Sequence, residues 1–128
     1  MSEKHVIYTE HAPEPIGPYS QAIRVGNLVF VSGQGSMNRA TGQMVRDTIE
    51  HETHQVLTNL KTILEVAGSS LDRVVKTTCF LGNMDDFPVF NKVYAEYFTT
   101  NKPARSTIQA ARLPGGIQVE VECIATVD

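Results

Sequence analysis

The sequence of 128 residues has few cysteines, which limits the classes of protein to which it can belong. The only two, Cys79 and Cys123, each lie within an apolar, strand-like run and not in a paired loop framework. A disulfide scaffold is therefore not indicated. We expect both thiols to be reduced core residues of a protein in a reducing compartment.

Long apolar runs and basic runs are also absent. No apolar stretch approaches the roughly 20 residues needed to span a bilayer. Residues 1–10 carry three charges and no hydrophobic segment of the kind that a signal peptide needs. Fourteen acidic residues outnumber 11 basic ones, for a net charge of -3, so the electrostatic footprint of a nucleic-acid binder is missing. We expect a cytoplasmic protein that binds neither nucleic acid nor membrane.

The composition is that of an ordinary globular protein, with 41% hydrophobic and 20% charged residues. A chain of this length can bury one core but not two, so we predict a single domain over residues 1–128.

Hydrophobic periodicity and turn residues predict the order of elements. In the first half we predict a short strand at residues 6–8, a hairpin of residues 20–25 and 28–32 around Gly26-Asn27, and a loop at 32–46. A helix at 46–67, ended by Gly68, and a strand at 74–81 follow. We then predict a helix capped by Asp85 with Pro88 in its first turn, and strands at 105–112 and 117–127. This β-β-β-α-β-α-β-β order predicts an α+β fold in which two helices cover one face of a sheet.

Alternation in the last two strands assigns their side chains to two faces. Apolar residues of the last strand fall on one face and Glu120 and Glu122 on the other, and we predict that Arg105 shares this mixed face. In a simple hairpin of the two strands Gln109 would oppose Glu120, leaving Arg105 about 13 Å away along the strand. Either the strands are not direct neighbours, or a second subunit completes a site that uses both residues.

Arg105 and Glu120 are the candidate functional residues because charges on short apolar strands are costly unless they pair or bind something. One interpretation is an ion pair of Arg105 with Glu120 or Glu122. The other is that the arginine fork grips a carboxylate ligand while Glu120 moves protons on it.

Four segments with recognisable motifs follow one another along the chain: Ile16-Gly17-Pro18-Tyr19-Ser20-Gln21-Ala22-Ile23, Val31-Ser32-Gly33-Gln34, Asn91-Lys92-Val93-Tyr94 and Pro103-Ala104-Arg105-Ser106. Together and in this order they resemble the RidA family of enamine/imine deaminases. The resemblance extends from about residue 8 to residue 125. It implies a chorismate-mutase-like fold and a homotrimer in which the uncovered sheet faces turn inward and the sites lie between subunits.

The resemblance also implies roles for single residues. Glu120 and Tyr19 match the catalytic positions, and Arg105 matches the residue that holds the substrate carboxylate. Ser32, Gly33, Asn91 and Thr107 match further substrate-binding positions. The sequence departs from the family in two places. Thr107 replaces a frequent cysteine, which excludes a role that needs a thiol but not one carried by the backbone, and Gly35-Ser36-Met37-Asn38 lacks the usual prolines.

The activity implied is hydrolytic deamination of 2-enamino and 2-imino acids, such as 2-aminoacrylate, to 2-oxo acids and ammonia. The enzyme class would be a 2-iminobutanoate/2-iminopropanoate deaminase, a hydrolase of C=N bonds that needs no cofactor. Two alternatives remain: a regulatory module that binds 2-oxo acids without turnover, and an RNA-directed translation inhibitor or ribonuclease. His51 and His54 do not have the i, i+4 spacing of a zinc helix, so no metal site is predicted.

Overall fold

The computed structural model describes residues 3–128 and places eight strands and two α-helices within them. The elements are β1 Lys4–Ile7, β2 Ala22–Val25, β3 Leu28–Gln34, β4 Met37–Asn38, β5 Gln43–Met44, α1 Ile49–Val66, β6 Val74–Leu81, α2 Phe87–Tyr97, β7 Ala104–Gln109 and β8 Val119–Thr126. The predicted α+β class and element order are confirmed. The loop predicted at residues 32–46 is wrong in part, because it contains the end of β3 and the small β4–β5 hairpin. Strands of two residues are too short to show a period.

The main sheet has the strand order β1-β2-β3-β8-β6-β7. All neighbours are antiparallel except β6 and β7, which are parallel because α2 crosses over between them. The last strand, β8, lies in the middle of the sheet between β3 and β6. A β7–β8 hairpin is therefore excluded, and the first of the two alternatives, that these strands are not neighbours, is confirmed.

The helix α1 begins and ends at strong local signals. The Thr48 side chain accepts a hydrogen bond from the His51 amide at 3.0 Å, and Gly68, with φ of 86°, follows the last turn. Its buried face packs over β3 and β8. The two cysteines are free and buried in the core, as predicted. Neither helix of residues 3–128 is long and apolar enough to cross a membrane.

The start of α2 differs from the prediction. Asp85 does not cap the helix; instead its own amide donates to the Asn83 side chain, at 2.9 Å, within a turn of 3₁₀ helix that precedes α2. Asp86 occupies the cap position without a side-chain bond, and Pro88 lies in the first turn as predicted. The extra turn moves the helix start one residue later than the sequence signal predicts, from a cap at Asp85 to a cap at Asp86.

Candidate functional site

Strand register decides which face each candidate residue occupies. Arg105 lies opposite Thr77 of β6, which is fully buried beneath α2. Glu120 and Glu122 lie opposite Phe80 and Thr78, on the face that no helix covers. The prediction that Arg105 shares a face with these glutamates is therefore wrong. Sequence alternation identifies two faces of a strand, but only its pairing with β6 shows which face meets the helices.

Arg105 is held against α2 by one hydrogen bond and two aromatic rings. Its Nη1 donates to Asn91 Oδ1 at 2.8 Å, and its Cζ lies 4.7 Å from the ring centre of Tyr94 and 5.3 Å from that of Phe87. The Tyr94 ring is itself fixed, because its hydroxyl shares a 2.8 Å hydrogen bond with the buried Thr77 hydroxyl. No ion pair of Arg105 with Glu120 or Glu122 occurs in the described chain. The guanidinium is thus oriented by neutral groups, and its remaining N–H donors can bind an anion.

Asn91 and Thr107 both belong to the Arg105 side of the site. Asn91 is exposed and its amide oxygen braces the guanidinium. Thr107 is half-buried and lies two residues along β7 on the same face, opposite Cys79. Burial raises the pKa of the Cys79 thiol to about 11. This thiol is therefore protonated near neutral pH and is not a nucleophile for the site.

Glu120 lies on the open face, across the backbone of Gly33. A Cβ atom placed on Gly33 would lie 2.9 Å from Glu120 Cδ and 3.1 Å from its Cγ, so any other residue here would force the Glu120 side chain to move. Gly33 lies where the β3–β8 register shifts between Val31 and Gln34, an irregularity of the kind that redirects side chains near functional sites. Burial raises the pKa of the half-buried Glu120 carboxyl, and the charge of Glu122 raises it further.

Ser32 and Tyr19 lie on the Gly33 side of the site. The Ser32 hydroxyl donates to the Ser20 carbonyl at 2.6 Å, which leaves its oxygen free to accept a bond but uses its proton. Tyr19, the residue before Ser20, is 53% exposed. Its hydroxyl oxygen accepts the Ile16 amide at 3.3 Å, so its own proton is free to be donated.

The candidate residues thus form two groups in one protomer. Arg105, Asn91 and Thr107 lie on the helix face at the sheet edge, and Glu120, Gly33 and Ser32 lie around the β3 irregularity. Tyr19 is linked to the second group through Ser20, whose carbonyl accepts the Ser32 hydrogen bond. Arg105 aligns with Cys123 through Thr77, so it lies two strands and three residues from Glu120, about 14 Å at ordinary strand spacings. A substrate of a few carbon atoms cannot touch both groups of one protomer.

Other clusters of polar side chains are engaged locally. His51 Nδ1 lies 2.8 Å from Asp47 Oδ2, and His54 Nδ1 lies 2.7 Å from the Tyr97 hydroxyl. Among residues 3–128, no three metal-binding side chains converge on one point. A surface groove of about 730 Å³ lies between residues 44–47 and the start of α1, and it includes neither group of candidate residues.

Phe87 and Tyr94 are contacts of Arg105 that the sequence analysis missed. In the sequence, Tyr94 belongs to the segment Asn91-Lys92-Val93-Tyr94 of the family resemblance without a role of its own, and Phe87 lies outside all four segments. The spacing of Phe87, Asn91 and Tyr94 is i, i+4, i+7, which places all three on one face of a helix. That spacing is a usable signal, but the sequence does not show which strand the face meets.

Comparisons with known proteins match nearly the whole chain. A family model described as Endoribonuclease L-PSP matches residues 9–127. A RutC family protein of Pyrococcus horikoshii is 52% identical over 122 residues, covering 95% of this chain and 97% of its own. A 2-iminobutanoate/2-iminopropanoate deaminase of Dermatophagoides farinae is 46% identical over 128 residues, with 100% of each chain covered. Among solved structures, RidA from an Antarctic Psychrobacter bacterium is 40% identical, with a TM-score of 0.92 and 96% and 99% of the two chains covered.

Proposed function

The chain belongs to the RidA family, and on that premise we propose that it hydrolyses small 2-enamino and 2-imino acids to 2-oxo acids and ammonia. The observation that carries this proposal is the environment of the two candidate charged residues, Arg105 and Glu120. Arg105 is oriented without an acidic partner, and Glu120 is half-buried with a raised pKa. The first arrangement suits a carboxylate ligand, and the second suits a proton donor, because a raised pKa keeps the carboxyl protonated to higher pH than an exposed one.

The chemistry divides between the two groups. Arg105 binds the substrate carboxylate through two parallel N–H···O bonds, while Asn91 and the aromatic rings hold the guanidinium plane. Glu120, with the free Tyr19 proton as a second donor, protonates the terminal carbon of an enamine such as 2-aminoacrylate and gives the iminium ion. Water then adds to the C=N carbon and returns a proton to the Glu120 carboxylate. The resulting carbinolamine takes up a proton on its nitrogen and expels ammonia as its hydroxyl proton is lost, leaving the 2-oxo acid.

These steps need little from the protein beyond orientation and proton transfer. The imines already hydrolyse in water, so one positioned acid contributes an acceleration of about 10²- to 10⁴-fold. All atoms of the product come from substrate and water, and no redox step or cofactor enters this scheme.

A second copy of the chain is part of the proposal, because one protomer separates Arg105 from Glu120. We infer a homotrimer in which the edge strand β7 of one subunit approaches the open face of another. The open face carries Val6, Phe30 and Ile108, which are 63%, 41% and 48% exposed. Apolar side chains of this size on an uncovered sheet face favour burial against a partner.

The activity is tested by generating 2-aminoacrylate freshly in the presence of the protein and following ammonia release above the spontaneous rate. The Glu120→Gln variant should lose most of this turnover yet bind pyruvate with parental affinity in calorimetry, since the amide keeps the shape but cannot deliver a proton. Hydrolysis at the parental rate in the variant would remove Glu120 from the mechanism.

The same assay separates the proposal from a regulatory module that only binds 2-oxo acids. Such a module would bind pyruvate at the Arg105 side and release no ammonia above the spontaneous rate. An RNA-directed role is not favoured, because the net charge of -3 and the lack of a basic run give no footprint for phosphate binding.

A further inference from the structure

Glu52 is a buried carboxylate that the proposed chemistry does not use. It lies in the first turn of α1 and is only 1% exposed. A charge at this depth is costly unless hydrogen bonds satisfy it. Its Oε2 accepts two backbone amides, from Gln118 at 2.6 Å and from Val119 at 2.7 Å. These are the two residues that immediately precede Glu120.

The amides that Glu52 binds lie at the start of β8, where β3 no longer pairs with it. The strand β3 ends at Gln34, opposite Val121, so residues 118 and 119 lie beyond the last β3 pair. On the β6 side, the Gly82 amide donates to the Gln118 carbonyl at 2.9 Å. Glu52 and Gly82 therefore hold the N–H and the C=O of the same residue, and the backbone entering Glu120 is fixed from two elements.

The fit of Glu120 against Gly33 makes this fixation matter. Because a Cβ on Gly33 would lie only 2.9 Å from Glu120 Cδ, the carboxylate already rests close to the β3 backbone. A small shift of β8 would either press it into β3 or move it away from the substrate. Displacement of a reacting group by about 1 Å can cost 10²-fold in rate.

We propose that Glu52 is a positioning residue for Glu120: its carboxylate anchors the start of β8 to α1 and so sets where the Glu120 side chain projects. The inference rests on the proposed function, since it assigns Glu52 to the reaction through Glu120. A purely structural role would instead lower the stability of the fold and leave the properties of Glu120 unchanged.

Three variants test the proposal. Glu52→Gln keeps an oxygen that can accept both amides, and its kcat should stay within about threefold of the parent. Glu52→Ala leaves two buried donors unpaired, and its kcat should fall at least about tenfold. Its KM and its pyruvate affinity should change less than about threefold, because Arg105 lies on another strand. Ser69→Ala is the matched control: it removes a 2.7 Å side-chain bond to the Thr126 carbonyl at the other end of β8, and should lower stability without changing kcat.

A titration of the Glu120 carboxyl by carbon-13 NMR gives a readout that does not depend on turnover. Its midpoint should move in Glu52→Ala and stay in place in Glu52→Gln and Ser69→Ala. If the parent protein hydrolyses no imine, the proposed function fails while this titration still tests the positioning.

If Glu52→Ala does not fold, Glu52→Asp takes its place, since it keeps the charge but its shorter side chain cannot reach both amides. Unchanged kcat and an unchanged Glu120 titration, in a folded Ala or Asp variant that has lost stability, would overturn the proposal.

Discussion

Replacing Arg105 with lysine should damage activity nearly as much as replacing it with alanine. Lysine keeps the positive charge but loses the planar fork that binds a carboxylate at two points. It also loses the plane that stacks near the Tyr94 ring at 4.7 Å and the hydrogen bond that Asn91 accepts at 2.8 Å. The substrate would be held by one bond to an unsupported ammonium group.

The expected loss follows from the bonds removed. A hydrogen bond to a charged group contributes about 1.5–3 kcal/mol. Loss of one of the two bonds therefore lowers kcat/KM by about 10- to 150-fold at 1.4 kcal/mol per factor of ten. Because the carboxylate is bound in the ground state and in the transition state alike, most of the loss should appear in KM and in pyruvate affinity, and less in kcat.

The assay is ammonia release from fresh 2-aminoacrylate, corrected for spontaneous hydrolysis, with pyruvate affinity measured by calorimetry. Thermal unfolding should change little in both Arg105 variants, since the side chain is half-exposed and forms no ion pair within residues 3–128. Arg24→Lys is a matched control, because β2 lies four strands from β7 and the one side-chain hydrogen bond of Arg24 within residues 3–128 goes from its Nε to the Gly26 carbonyl, at 3.3 Å. If Arg105→Lys keeps more than half of the parental kcat/KM, the fork does not orient the substrate and the carboxylate must be bound elsewhere.

Three further outcomes are expected. Gly33→Ala should lower kcat while the protein still binds pyruvate, because the new Cβ displaces Glu120; a parental kcat would show that this close approach is not used in the reaction. If Glu120 acts as an acid, kcat should decline as the pH rises through the raised pKa of Glu120. Glu122→Gln removes a charge that raises this pKa, so it should move the decline to lower pH. A kcat that instead grows with pH would make Glu120 a base. Light scattering at micromolar concentration should give the mass of three protomers of 14.1 kDa each, whereas a stable monomer would contradict the shared site.

Local signals in the sequence were sufficient for most of the secondary structure. The β2–β3 hairpin forms around Gly26-Asn27, and β6 has the predicted bounds of residues 74 and 81. These elements follow from turn residues and from periodicity, which depend on neighbours in the chain. Local signals were not sufficient at the start of α2, where the predicted cap Asp85 is wrong. Asn83 and Asp85 are both good cap residues, and only the structure shows that the Asn83 side chain accepts the Asp85 amide.

The sequence by itself also singled out Arg105, because a lone charge on an apolar strand is conspicuous whatever the fold, and the family resemblance distinguished Glu120 from Glu122 on the last strand. Only the tertiary structure decided that Arg105 and Glu120 lie on opposite faces of the sheet. Alternation has a period of two and divides a strand into two faces, but the register with the neighbouring strand decides which face is covered. Here α2 makes β7 parallel to β6, so that Arg105 aligns with the buried Thr77, and β8 enters between β3 and β6.

The contacts that define the site join residues far apart in the chain, so no local pattern predicts them. Glu52 meets Gln118 across 66 positions, and Gly33 meets Glu120 through the pairing of β3 with β8. Each of these contacts depends on the packing of a helix or strand against β8, which is the last strand of the chain and lies in the interior of the sheet. The sequence singled out the candidate residues, and the packing of helices and strands against one another determined where their side chains lie.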